Sequence, residues 1–431
     1  MKFAFYTLGC KVNQYETQAM QHLLLQQGHT LGDFSCACDG YIINTCTVTA
    51  VGDKKSRNAI RRAKKLNPNA VVGVCGCYSQ VSPDEVRRLD VDVISGSGQR
   101  EQFLELMVSA CRDRVHLEQL DNALSRREFE LLPAGGLLER TRAMLKVQDG
   151  CANFCSYCII PYARGPVRSL PLAQAVAQAL SCQEQGYHEL VVTGIEISSW
   201  GQDLRNGSTL KDLLAALCQA VPSVRIRLGS LEPRTIDEAF CQALCGYENL
   251  CPQFHLSLQS GCDAVLKRMN RKYDTRRYLH SVELLRAYFP GCAITTDLIV
   301  AFPGETEEEF SQTLEFITRC RFASMHIFPY SRRDGTPAAS MASQHSNETK
   351  EARSARAIAL ANQMERAYQD SLLGTLAPVL LEQEEDGFMT GHTPTGVKVY
   401  LKEAGLHNTV KTVRLRSICE GGVLGELASQ A

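Results

Sequence analysis

The sequence predicts an α/β protein in three parts: an N-terminal doubly wound parallel sheet, a central partial (β/α)6 barrel and a small C-terminal OB-like β-barrel. Three observations carry this. Over residues 1–113, apolar runs alternate with polar helical stretches, the pattern of strands joined by crossover helices. Over 137–367, six strand-like runs recur a few tens of residues apart, with helical stretches between them. From 368 to 431, five short strand-like runs follow with only turns between, as in small β-barrels.

In chain order, Lys2–Thr7 reads as a strand, Glu16–Gln27 as an amphipathic helix ended by Gly28, and Tyr41–Thr45 as a strand. Asp53–Leu66 is helical and stops at Asn67-Pro68. Ala70–Val74 and Val91–Ile94 are further strands, with a helix start between them at Ser82-Pro83-Asp84-Glu85, where a Ser cap precedes Pro in the first turn. Residues 114–136 lack periodicity and read as a linker. The barrel strands are the run before Cys151, then Glu189–Thr193, Val224–Leu228, Gln253–Leu258, Ala293–Val300 and Ser324–Phe328. Thr306 to Glu309 reads as a capping box. Thr349–Asp370 is a long polar helix with an Ala/Leu/Met stripe, expected to pack the last part onto the barrel.

Bulk properties exclude several classes. At 44% hydrophobic and 22% charged residues the 431-residue chain is globular. A net charge of −1 gives no global basic field, so a nucleic-acid partner must be met by local patches. Only eight residues separate Lys2 from Lys11, too few for a secretory leader. No apolar run is long enough to span a bilayer. The 19 cysteines are therefore expected to be thiols in a reducing, cytoplasmic setting. Cys182, Cys218, Cys241, Cys245 and Cys320 fall on apolar helix faces and are expected to be buried hydrophobes.

Cys151, Cys155 and Cys158 form a CxxxCxxC run after the apolar stretch Ala143–Val147. A cubane [4Fe–4S] cluster wants four thiolates. Three leave one iron open, and an open metal position is where a substrate binds. The competing reading is a zinc knuckle, but zinc pairs normally have a second Cys/His pair downstream, and none follows Cys158. Cys10, Cys46 and Cys77 (with Cys75) each follow one of the first three predicted strands. Carboxyl ends of parallel strands share one ligand-binding edge, so these cysteines are expected to converge on a second cluster. Unconnected buried cysteines are the alternative. No residue is assigned as a catalytic acid or base.

The CxxxCxxC spacing resembles the radical S-adenosylmethionine (SAM) signature. Thr7-Leu8-Gly9-Cys10-Lys11-Val12-Asn13, Asn44-Thr45-Cys46-Thr47-Val48 and Gly76-Cys77-Tyr78-Ser79-Gln80 resemble the N-terminal domain of the radical SAM methylthiotransferase family. The blocks Cys158 to Arg168, His255 to Gly261 and Phe302 to Thr306 extend the resemblance through the barrel, and the C-terminal pattern resembles the TRAM domain. The resemblance implies a methylthiotransferase Fe–S domain at 1–113, a linker at 114–136, a radical SAM domain at 137–367 and a TRAM domain at 368–431. It implies two [4Fe–4S] clusters and SAM as cofactors. Cys151, Cys155 and Cys158 would hold the cluster that cleaves SAM, and Cys10, Cys46 and Cys77 the one that carries sulfur; the family setting selects Cys77 over Cys75. Thr193 and Gly194 occupy the place that holds the SAM amino group. Glu196, Ser257, Gln259 and Asp297, near strand ends, are further candidates for SAM or substrate contact, with helix caps or rim hydrogen bonds as the alternative.

The implied reaction inserts sulfur and then methyl at an unactivated C–H carbon. Such a carbon offers acid–base and nucleophilic catalysis nothing to act on, so a cofactor must carry the chemistry. Residues 7–17 most resemble the branch acting on C2 of N6-threonylcarbamoyladenosine beside the tRNA anticodon; the isopentenyladenosine branch reads Gly-Cys-Gln-Met-Asn there. Implied partners are a tRNA anticodon stem-loop, an electron donor and a sulfur donor, with no membrane and no DNA. Candidate RNA contacts are Arg61, Arg62, Lys64 and Lys65 on one basic helix, Arg332 and Arg333 after the sixth barrel strand, and Lys411 and Arg414 on a C-terminal strand; solvated faces are the alternative. Two other functions stay open: a sibling enzyme acting on isopentenyladenosine or a ribosomal-protein aspartate, and a non-catalytic Fe–S protein that binds RNA and senses redox state.

Overall fold

A computed structural model describes residues 1–136 and 141–428. Its first sheet joins β1 (Lys2–Thr7), β2 (Thr30–Gly32), β3 (Gly40–Thr45), β4 (Val71–Gly76), β5 (Val93–Ser95) and β6 (Leu117–Gln119), all parallel, in the order β2-β1-β3-β4-β5-β6. β3 and β4 are buried along their whole length, which is why they read as continuous apolar runs. The helices Lys11–Gln26 and Arg100–Asp113 cover one face through Met20, Leu24, Phe103 and Met107. The helix Ala50–Leu66 covers the other through Ala59, Ile60 and Ala63. The sheet is doubly wound, as expected.

The clearest differences from expectation lie in the first helix and in the segment after the fifth strand. The first helix starts at Lys11 and not Glu16, because the polar side chain of Asn13 is itself buried. The stretch read as a linker, 114–136, supplies β6, which pairs with β5. Three residues are too few for an alternation pattern to announce a strand.

The barrel begins with β7 (Arg142–Lys146), followed by the short antiparallel pair β8 (Gln148–Asp149) and β9 (Arg168–Ser169). The boundary expected at 137 falls among residues outside the described ones. The barrel continues with β10 (Glu189–Thr193), β11 (Arg225–Leu228), β12 (Ser230–Leu231), β13 (Gln253–Leu256), β14 (Ala293–Val300) and β15 (Ser324–Pro329). Its strand pairs are parallel. Gly229 splits the third barrel strand, so that β11 pairs with β10 and β12 with β13. Six strand positions with helices outside make the partial (β/α)6 barrel. The expected capping box forms at Thr306 and Glu309. Cys182, Cys218, Cys241 and Cys320 join the barrel core, whereas Cys245 ends a helix and is exposed.

The helix Asn347–Leu372 is one continuous element, so the domain boundary drawn at 367/368 cuts through it. Beyond it, β16 (Leu376–Glu385), β17 (Phe388–His392), β18 (Lys398–Leu401), β19 (Thr409–Cys419) and β20 (Gly422–Leu427) close into a five-stranded barrel, β16-β17-β18-β20-β19. This barrel docks on the central one through ionic contacts. Arg142 on β7 reaches Glu382 at 2.6 Å, and His392 lies 2.9 Å from the same carboxylate. Burial raises the Glu382 carboxyl, but the His392 hydrogen bond and the Arg142 charge outweigh it and hold it at about 2.

A carboxyl held low contributes stability above its unfolded value of about 4.3 and loses it as pH falls. Thermal stability of the protein should therefore fall between about pH 5 and 2 through this group. Glu382→Gln should be less stable than wild type at pH 7 and should show a smaller acid-dependent loss. Equal pH profiles for the two proteins would contradict the assignment.

Candidate cluster and cofactor site

The ends of β1, β3 and β4 stand side by side in the sheet, and each is followed by a cysteine. Asn13 ties two of these ends together: its side-chain amide donates to Leu8 O at 2.8 Å and Thr45 O at 2.9 Å. Asn44 answers by donating to Asn13 O at 3.0 Å. Gly9 has φ +99, and a Cβ there would meet Cys46 Sγ at 2.7 Å; only glycine lets the Cys10 loop close on Cys46. Gly76 has φ +108 with Thr45 O and N at 2.4 and 2.6 Å from a built Cβ. That turn swings Cys77 away from the direction set by β4.

The result sorts the cysteines. Cys10, Cys46 and Cys77 lie in one another's electrostatic field. Cys75 does not join them; it is fully buried in the apolar cluster with Phe103 and Met107. Burial, reinforced by Cys77, pushes the Cys46 thiol up to about 12. The expected triad converges, with Cys77 and not Cys75 as its third member.

The second triad sits on the loop after β8. Cys151 N–H donates to Gly165 O at 3.0 Å, and Cys158 N–H to Cys155 O at 3.0 Å. Ser156 anchors the loop by donating to Arg268 O at 2.8 Å. Burial pushes the Cys151 and Cys158 thiols to about 12. Such thiols are neutral until a metal takes their protons.

One cavity of about 440 Å³ is lined by Cys151, Cys155 and Cys158 and, from the other triad, by Cys10. The first three form one wall, and Cys10 with Lys11 and Val48 another. Thr193, Gly194 and Glu196, after β10, and Ser257, after β13, line it as expected. Glu232 joins them, and burial with this neighbour raises the Glu196 carboxyl. Gln259 and Asp297 fall elsewhere. Gln259 is held by backbone bonds beside β14, its N–H on Asp297 O and its carbonyl taking Ile299 N–H. Asp297 pairs with His255 at 3.3 Å and lines an adjoining cavity. Gln259 misses this wall because its backbone, at φ +68, leaves the extended conformation that would keep it on the face of Ser257, and Asp297 because it lies within β14 and not at its end.

Do these residues fit the groups the sequence implies? Soft thiolates in threes suit iron–sulfur clusters. Among the described residues no three His, Cys, Asp or Glu side chains are arranged to hold one metal ion, and a cubane spreads its cysteines around a four-iron body. Charge supports the fit. Arg100, Lys146, Arg164 and Arg168 are buried against only two buried carboxylates, Glu16 and Asp149. A surplus of buried cations calls for an anionic neighbour, and a thiolate-ligated cluster is one. One arginine serves each triad: Arg164 Nε lies 3.3 Å from Cys77 Sγ, and an Arg271 NH group 3.1 Å from Cys155 Sγ. Neither arginine, nor Lys11, nor Glu16 was named by the sequence. Arg164 was within reach, because it lies in the motif block after Cys158.

The RNA candidates divide. Arg61 and Lys65 are exposed, but Lys64 is taken by Asp92 at 2.8 Å and Arg62 lies over the Phe34 ring. The group lies roughly 16 to 22 Å along its helix from the end near Cys46, so the basic patch is not beside the cysteine triad. Arg333 is buried and bonded to Asp53 at 2.5 Å and to Thr47; it fastens the segment after β15 to the first domain and does not face solvent. Arg332 remains exposed. Lys411 is exposed, while Arg414 donates to Gly374 O at 3.0 Å.

Known proteins match this arrangement. The "Radical SAM superfamily" matches residues 145–317, and "Uncharacterized protein family UPF0004" matches 2–96. The chain is 41% identical over 406 residues to the threonylcarbamoyladenosine tRNA methylthiotransferase MtaB of Bacillus subtilis, covering 93% of this chain and 90% of that one. It is 35% identical to the MtaB of Thermotoga maritima (97% and 95% covered). It is 32% identical to the tRNA-2-methylthio-N(6)-dimethylallyladenosine synthase of Acetivibrio thermocellus (95% and 87%). Among solved structures, the radical S-adenosylmethionine methyltransferase TsrM of Kitasatospora setae superposes with a TM-score of 0.58 at 15% identity, over 78% of this chain and 77% of that one, which speaks to fold alone. With such identity across nearly the full length of both chains, two cysteine triads and one shared cavity, this chain belongs to the radical SAM methylthiotransferase family.

Proposed function

We propose that this protein is a tRNA methylthiotransferase that places a methylthio group on C2 of N6-threonylcarbamoyladenosine beside the anticodon. The observation that carries it is the single cavity lined by Cys151, Cys155 and Cys158 and by Cys10 of the other triad. A base seated there meets the radical source and the sulfur source without leaving the site. Loaded with two [4Fe–4S] clusters and SAM, the site has the one-electron and group-transfer chemistry that an unactivated C–H carbon requires.

The chain's own residues bind and orient. Cys151, Cys155 and Cys158 would hold one cluster, and Cys10, Cys46 and Cys77 the other. Thr193, Gly194, Glu196 and Ser257 line the place for SAM. Arg164 and Arg271 place a charged N–H donor on one sulfur of each triad, an interaction that steadies ligand position and cluster charge. The tRNA reading draws on the two MtaB relatives. Exposed Arg332 and Lys411 are the RNA contacts this reading favours, with the small C-terminal barrel as an RNA-holding module of the TRAM kind. An external reductant and a sulfur donor complete the cycle, in the cytoplasm; no helix among the described residues is long and apolar enough to cross a membrane.

The test is nucleoside mass spectrometry of bulk tRNA from a strain lacking the gene. 2-Methylthio-N6-threonylcarbamoyladenosine should disappear, leaving N6-threonylcarbamoyladenosine in its place. Persistence of the methylthio nucleoside in a strain without a second such enzyme would overturn the substrate assignment.

A further inference from the structure

The reaction cavity has a neighbour. A second cavity of about 430 Å³ lies between the central barrel and the C-terminal barrel. The two share three residues: Lys11, Gly229 and Ser230. Lys11 directly follows the cluster cysteine Cys10 and opens the helix Lys11–Gln26. Among the described residues it has no hydrogen-bond or ion-pair partner, and it lines the junction, where burial and the nearby Arg227 and Arg142 charges lower its pKa and make an anionic partner favourable. The other charged groups facing the second cavity are largely engaged. Asp297 pairs with His255 at 3.3 Å, and Lys398 pairs with Glu385. Glu365 and His326 line its far side.

We propose that Lys11 is the specificity residue for the substrate base, receiving the carboxylate of its N6 substituent. This rests on the threonylcarbamoyladenosine reading above. In adenine, C2 and the carbon bearing N6 flank the same ring nitrogen. A base with C2 turned to the two triads therefore directs its N6 substituent to one side of the same cavity, and the adjoining cavity offers room. A threonylcarbamoyl substituent carries a carboxylate. Drawing that charge out of water is costly unless a cation meets it, and a free ammonium at the junction meets it with a charge-assisted hydrogen bond. An isopentenyl substituent is uncharged, and the branch that takes it reads Gln at this position, which has no charge to offer. The hydroxyl of Ser230, without a described partner at the same junction, is placed for the substituent's polar groups.

The experiment compares anticodon stem-loops that differ only at the target adenosine: unmodified, N6-threonylcarbamoylated, and the methyl ester of the latter. Affinity is read by fluorescence anisotropy with the reconstituted full-length protein, as wild type, Lys11→Gln and Lys11→Arg. Wild type should prefer the free-acid stem-loop over the other two by about tenfold or more, the scale of one charged hydrogen bond. Lys11→Gln should lose this preference, and Lys11→Arg should keep most of it. If Lys11→Gln keeps the preference, or weakens all three RNAs equally as a phosphate contact would, the proposal is overturned. Methylthiolation by wild type is measured on the same RNAs. If wild type leaves the threonylcarbamoylated RNA unmodified, the substrate reading itself fails; if it modifies that RNA while Lys11→Gln still discriminates, only the role of Lys11 fails.

Discussion

Alanine at Cys77 should abolish methylthio transfer while SAM cleavage continues, and alanine at Cys75 should leave both. The two cysteines are two residues apart, yet the fold separates them completely. Cys75 points into the apolar cluster with Phe103 and Met107. Gly76, in a backbone conformation open to glycine, breaks the alternation of β4, so Cys77 starts the next helix facing Cys10, Cys46 and the Arg164 guanidinium. Loss of one thiolate from a set of three removes the second cluster's hold, whereas Cys151, Cys155 and Cys158 stay intact on the other loop. The readout is 5′-deoxyadenosine and methylthio nucleoside from the same reaction. A Cys75→Ala protein that loses methylthio transfer, beside an active Cys77→Ala, would reassign the third ligand.

Removing the Glu16 carboxylate should be the most destabilising single change in the inter-domain core. Glu16 is fully buried, with Arg100 on Oε2 at 2.7 Å, Lys146 on Oε1 at 3.1 Å and Arg164 reaching both oxygens. These partners come from three separate stretches of chain. Breaking a buried pair by deleting one partner leaves uncompensated charge and costs about 3–5 kcal/mol. Glu16→Gln should lower stability by that order in denaturant unfolding, and should reduce iron bound by Cys10, Cys46 and Cys77, because Arg164 loses its anchor beside Cys77. The pH sign follows the same network. Burial raises the Glu16 carboxyl, but Arg100, Arg164 and Lys146 outweigh it and hold it well below the usual carboxylate range. Its contribution is thus present above the unfolded value of about 4.3 and falls away in acid. A loss below about 1 kcal/mol, the scale of an exposed pair, would show that the network is not what joins the two domains.

The sequence carried the parts that are local. Strand and helix periodicity carried the three-part architecture, the CxxxCxxC spacing carried the Cys151 triad, and the strand ends carried Cys10, Cys46 and the Cys75/Cys77 pair, with the family resemblance choosing Cys77. What it could not carry is long-range placement. Glu16 looks like an ordinary polar position on an amphipathic helix until the barrel's Lys146 and Arg164 are packed against it. Arg333 reads as a loop charge ready for RNA, but Asp53, 280 residues earlier, holds it. Ser257 and Gln259 are two residues apart and read alike, and only the turn of the backbone at Gln259 separates them; Asp297 reads as near a strand end but lies within β14. Lys11 was visible in its motif next to Cys10, yet its meaning depends on two cavities meeting at its side chain, and no spacing in the sequence encodes that.

One reaction tests the substrate assignment most directly. Anaerobically reconstituted protein, given SAM, a reductant and two purified tRNAs, one bearing N6-threonylcarbamoyladenosine and one bearing N6-isopentenyladenosine, should release 5′-deoxyadenosine and form the 2-methylthio derivative of the first alone. Methylthiolation of the isopentenyladenosine tRNA instead, or SAM cleavage with no methylthio product on either RNA, would contradict it.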